Sequence, residues 1–102
     1  MMVPLTEKET VLDWIKATKY PVILVAGTYL GSFNHTLMSI KILEKEKIKL
    51  RAVIISESTE SAASRDEMIN TIKAHTRAQC LYIPRIKKRP AWKYAPDLLS
   101  VL

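Results

Sequence analysis

Three short apolar runs recur along this chain: "PVILVAG" at 21–27, "KLRAVIISES" at 49–58 and "QCLYIPRI" at 79–86. Strands this apolar, without strict polar alternation, are the kind a parallel sheet covers on both faces. The stretches between them change period. "NHTLMSIKILEKEK" sets Leu37, Ile40 and Leu43 at helical spacing, and "SRDEMINTIKAHT" does the same with Met68, Ile69 and Ile72. Helices of this length between strands are crossovers, which join parallel strands with one hand and lie on the sheet faces. An earlier helix is expected from "TEKETVLDWIKAT", where Val11, Leu12 and Ile15 follow Thr6 as N-cap and Glu9 completes a capping box. The tail "AWKYAPDLLSVL" adds one or two helical turns after Pro84 stops the third strand.

The order is therefore helix, then strand–helix–strand–helix–strand. That predicts an α/β chain with three parallel strands, Val22–Ala26, Ala52–Ser56 and Leu81–Ile83, and flanking helices, all in one unit spanning 1–102. Three parallel strands leave two open edges, which proteins normally cover. The pattern is that of a partial doubly wound sheet, part of a larger domain.

Composition narrows the function. With 48% hydrophobic and 25% charged residues over 102, the chain suits one ordinary folded domain. Cys80 stands alone, so no internal disulfide forms, and two scattered histidines make no zinc site; a reducing cytoplasm fits. No apolar stretch reaches the roughly 18 residues of a membrane helix, and "MMVPLTEKET" lacks a signal-peptide pattern. The net charge of +6 is concentrated in Arg85, Lys87, Lys88, Arg89 and Lys93. Without interleaved aromatic platforms this reads as solvated surface, with neither nucleic acid nor membrane as partner.

In open parallel sheets ligands sit beyond the carboxyl ends of the strands. Here those ends are Gly27–Asn34, Ser56–Thr59 and Pro84–Lys88. At the first, Gly27 and Gly31 permit positive φ or close approach, and Ser32 is placed to cap the helix that follows. The helix-start amides then suit a carboxylate or phosphate; equally, the two glycines serve only to turn strand into helix. His35, with no evident carboxylate partner, reads as structural, and His75 complements a helix end. Ser56 and Glu57 offer acceptors to an exocyclic amine such as adenine's, or act as ordinary caps. "IPRIKKR" holds a nucleotide base by its backbone or is a solvated loop. The G-x-x-x-x-G-K-[ST] phosphate loop occurs nowhere in the chain, and no catalytic or metal-binding residue is assigned.

"MVPL", "TVLDWI", "PVILVAGTYLGSFNHTL", "AVIISES", "YIPRI" and "WKYAPDLL", in that order, resemble the C-terminal half of dethiobiotin synthases. The resemblance covers essentially the whole chain. It implies the C-terminal half of a P-loop NTPase-like fold, in homodimeric enzymes of biotin biosynthesis. Those enzymes use ATP, Mg2+ and CO2 to carboxylate 7,8-diaminononanoate, phosphorylate the carbamate and close a ureido ring. On this resemblance Leu30, Gly31, Ser32, Phe33 and Asn34 receive the diamine's carboxylate across the dimer interface. Ser56 and Glu57 contact adenine, and Pro84, Arg85 and Ile86 line the nucleotide. Many relatives carry Asn where this chain has Ser56, and an acid some carry beyond the Pro84 loop is replaced in "KKRPAW". The resemblance also sets the family's glycine-rich acidic segment just before "MVPL", and the P-loop, metal acids and carbamate lysine earlier still. These 102 residues alone are then expected to be inactive. They would be one piece of a split enzyme with a complementing N-terminal half, a remnant, or a non-catalytic module for dimerisation or carboxylate binding.

Overall fold

The computed structural model describes residues 1–102. Its elements run α1 (Val11–Thr18), β1 (Val22–Ala26), α2 (Ser32–Lys45), β2 (Leu50–Ser56), α3 (Arg65–His75) and β3 (Gln79–Ile83). A 3-10 turn at Ala91–Tyr94 follows, with a last turn closed by Leu102 N–H donating to Leu98. The three strands form one parallel sheet in the order β1–β2–β3. The expected α/β arrangement of three parallel strands with flanking helices is what forms. Both β1 and β3 are edges, each paired with β2 alone. No helix is long and apolar enough to cross a membrane.

The core lies between β2 and the two crossover helices. Val53 and Ile55, two residues apart on one face of β2, meet Ile40 of α2 and Met68 and Ile72 of α3, with Ala26 of β1 alongside. All but Ala26 and Ile40 are fully buried. Each large aliphatic side chain removed from water in this way contributes about 1.5–3 kcal/mol before entropy is counted.

Cover on both faces is reached only at β2, where Ala52 and Ile54 are buried on the face opposite Val53 and Ile55. α2 and α3 share one side, because two crossovers of one hand stepping in the same direction across a sheet return to the same side. Ile23 and Val25, on the other face of β1, are 42% and 64% exposed. On that face Ile23 and Val25 pair with the buried Ala52 and Ile54, so cover there fades from the central strand to the edge.

The start of α1 also differs from expectation. Thr6 caps nothing helical: its Oγ1 accepts from the amides of Lys8 and Glu9 in a turn. The helix begins after Thr10, whose amide donates to Asp13 Oδ2 at 2.7 Å and whose hydroxyl donates to the same oxygen at 3.1 Å. A bridge between Pro4 and Thr10 holds the intervening residues as a loop and fixes that start. α1 is tied to the end of α2 by the Lys16–Glu46 ion pair, at 2.7 Å. An exposed pair of this kind contributes little.

Candidate functional site

Because the strands are parallel, the loops after β1, β2 and β3 emerge at one end of the sheet. The first loop is organised around Thr28, which is fully buried. Its amide donates to Ser58 Oγ at 3.0 Å, and the Ser58 amide returns a bond to Thr28 Oγ1 at 2.9 Å. The Ala62 amide donates to the Thr28 carbonyl at 2.7 Å. Ser61 Oγ lies 2.8 Å from Thr28 Oγ1 and 2.8 Å from the Ala63 carbonyl. The second loop is stitched to the third in turn. The Glu57 amide donates to the Ile83 carbonyl, and Glu57 Oε2 accepts from the Arg85 amide at 2.6 Å.

These contacts frame an open cleft of about 420 Å³ lined by Gly27, Tyr29, Ser56, Glu57, Ser58 and Arg85, among others. It is within the size range of small-ligand sites. Ser56, Glu57 and Arg85 therefore share one cavity, although they come from separate loops. Pro84 and Ile86 flank Arg85 without lining it. One oxygen of Glu57 is engaged by the Arg85 amide, and the other has no partner in the chain. Arg85, an exposed residue, also lines this cleft and adds a positive charge near it.

The turn before α2 is built differently from expectation. Gly31, not Ser32, is the N-cap, with φ +86. Ser32 is buried; its amide donates to the Tyr29 carbonyl at 3.0 Å and its hydroxyl points to Met68 Sδ at 3.9 Å. The reason is register: Ser32 is already the first helical residue and faces α3. The first intrahelical closure is His35 N–H to the Gly31 carbonyl. That leaves the amides of Phe33 and Asn34 without a backbone acceptor, the usual condition of a helix start. Leu30 projects outward, 88% exposed, while Phe33 packs against the core and Asn34 is exposed.

Sequence reasoning missed three participants. Tyr29 and Ser58 line the cleft, and Thr28 holds its walls together. Tyr29 Oη lies 2.8 Å from His35 Nδ1, so the histidine without a carboxylate partner has a phenol partner. Burial raises the Tyr82 phenol above its ordinary value, the Glu57 charge adds to this, and Arg65, stacked 5.4 Å from the ring centroid, opposes it. Burial likewise pushes the Cys80 thiol up, against the opposing charge of Lys73. Trp92 and Tyr94 near the C-terminus are each faced by a lysine, Lys93 and Lys88. No group of three His, Cys, Asp or Glu side chains is assembled as a metal site.

A family model described as an AAA domain matches residues 1–88. An ATP-dependent dethiobiotin synthetase BioD of Legionella pneumophila (strain Paris) is 46% identical over 74 residues, 72% of this chain and 35% of that protein. The same-named protein of Caulobacter sp. (strain K31) is 46% identical over 103 residues, all of this chain and 44% of its own length. BioD 2 of Pasteurella multocida is 34% identical over 97% of this chain and 40% of its length. The chain thus spans less than half the length of these relatives.

Proposed function

The chain belongs to the AAA domain family, and from that premise we propose that it is the C-terminal substrate- and base-binding part of a dethiobiotin synthetase. The observation that carries this is the cleft at the strand ends, which gathers Ser56, Glu57 and Arg85 from separate loops. Relatives named ATP-dependent dethiobiotin synthetase support it along the whole chain. In this reading the unpartnered oxygen of Glu57 and the Ser56 hydroxyl receive the exocyclic amine of adenine. The free amides of Phe33 and Asn34 at the start of α2 receive the carboxylate of 7,8-diaminononanoate. The whole protein would then use ATP and CO2 to form the ureido ring in biotin biosynthesis, as a soluble, cytoplasmic homodimer.

Phosphoryl transfer rests on positioning and charge neutralisation at the γ-phosphate. These 102 residues contain no G-x-x-x-x-G-K-[ST] loop and assemble no group of three His, Cys, Asp or Glu side chains. In this reading the phosphate-binding loop and metal ligands come from another part of the protein, and catalysis belongs to a longer or assembled protein. The exposed Ile23 and Val25 of β1 and the two unpaired edges of the sheet favour assembly with a complementing N-terminal half or a second copy.

The test is a dethiobiotin-formation assay on the full-length protein or reconstituted pair, with the isolated 102 residues as control. The assembled protein should turn over and the isolated chain should not. Glu57→Gln should raise the KM for ATP about 10-fold, as loss of a charged hydrogen-bond partner does. Unchanged KM in that variant, or turnover by the isolated chain, sinks the reading.

A further inference from the structure

Two of the proposed subsites are separated in sequence by more than twenty residues, yet one buried side chain touches the segments carrying both. Thr28 stands three residues before Gly31 and the helix-start amides. Its partners Ser58, Ser61 and Ala62 belong to the loop that begins at Glu57. The two bonds between Thr28 and Ser58 are reciprocal, amide to hydroxyl in each direction. A hydroxyl carries one proton, so Ser61 can give its own to the Ala63 carbonyl and accept that of Thr28. Every polar group of Thr28 is then satisfied with the residue fully buried. The rest of this loop is exposed at Thr59, Glu60, Ser61 and Ala62, so little else holds it down.

We infer that Thr28 is a positioning residue that couples the base cleft to the carboxylate turn, so that nucleotide and diamine each strengthen the binding of the other. The inference rests on the functional reading above. A nucleotide held at Ser56 and Glu57 orders the loop at Ser58, and the clasp passes that order to Thr28 and the backbone leading into Gly31. The second ligand then meets a turn whose ordering cost is already met. By linkage the effect is reciprocal. Thr28 touches neither ligand.

The test uses full-length protein, with Thr28→Val to remove the hydroxyl at constant shape and Thr28→Ser to keep it. Ser58→Ala serves as a second, milder break of the same clasp. Dissociation constants for ATP and for 7,8-diaminononanoate are measured separately and each in the presence of the other. Native protein and Thr28→Ser should show coupling of at least about 5-fold. Thr28→Val and Ser58→Ala should bring it to near unity, while each single-ligand affinity moves less. Amide exchange without ligand supplies an independent arm: Ala62 and its neighbours should exchange about 10-fold faster in Thr28→Val and Ser58→Ala, with β2 unchanged. Coupling that survives both clasp-breaking variants overturns the inference, as does exchange that is unchanged in them. Parallel loss of stability and both affinities at constant coupling leaves Thr28 purely structural and overturns it too. Native protein that binds neither ligand removes the functional reading and the coupling together. Native protein that binds both independently removes the coupling alone.

Discussion

At the scale of single residues, the two glycines of the first strand-end loop do different work. Gly31 sits at φ +86, and a Cβ built there meets nothing within 4 Å. Only the backbone conformation demands glycine, since an L side chain at that φ is strained by about 1–2 kcal/mol. Gly27 has no such φ, but a Cβ there would lie 2.6 Å from the Tyr29 ring and 2.8 Å from Ser58 Oγ. Relief means swinging Tyr29 off His35 or pulling Ser58 off the Thr28 amide. We therefore expect Gly27→Ala to lower stability by about 1–3 kcal/mol, as overpacking does, and to weaken nucleotide and diamine together. Gly31→Val should cost less stability and fall mainly on the diamine, because the misaimed groups are the amides of Phe33 and Asn34. A loss of about 1–3 kcal/mol in that affinity matches one charge-assisted hydrogen bond. Thermal unfolding and separate ligand titrations on the two variants check this; equal losses for both ligands in Gly31→Val would leave it a turn residue only.

At the scale of elements, legibility depended on whether the deciding contact was local. The helices were readable because Ile40 and Leu43, or Met68 and Ile72, announce their buried face by spacing alone. The parallel pairing followed from crossover length, and with it the convergence of Ser56, Glu57 and Arg85 at one end. The start of α1 was not readable: "TEKE" and "TVLD" are both Thr-x-x-acid boxes four residues apart, and the Pro4–Thr10 bridge chooses between them. Thr28 was hidden for the same reason, since its partners lie 30 or more residues away. The chosen cap makes a pH prediction. Hydrogen bonds from the Thr10 amide and hydroxyl hold the Asp13 carboxyl below its ordinary 3.8, with a smaller contribution from Lys16. A depressed folded-state value means the stabilisation is complete above the unfolded-state value and disappears as pH falls through the folded one. Protection of the Thr10 amide against exchange should therefore decline below about pH 4. In Asp13→Asn that decline should vanish, and a persisting decline would assign the effect to another carboxylate.

At the scale of the whole molecule, the sheet is covered unevenly. The central strand β2 is buried on both faces, whereas the edge strand β1 is covered on one, leaving Ile23 and Val25 exposed. The apolar pattern of β1 does not tell which of its faces is covered; that depends on which side the crossover helices take. An exposed, β-branched edge pairs readily with another strand. The isolated 102 residues should accordingly associate, with a sedimentation coefficient that rises with concentration. Val25→Lys places a charge on the open face beside that edge, where 64% exposure keeps it solvated. This is how natural edge strands resist pairing. Surface changes of this kind usually alter stability by less than about 0.5 kcal/mol. The variant should sediment as a monomer at concentrations where the native sequence does not, with its melting temperature nearly unchanged. On the proposed reading, in which a complementing half covers this face of the longer or assembled protein, the same substitution should instead reduce stability or assembly, because the lysine would then be buried. A native chain that stays monomeric at every concentration, or a lysine variant that associates equally, would place the association elsewhere than on this face.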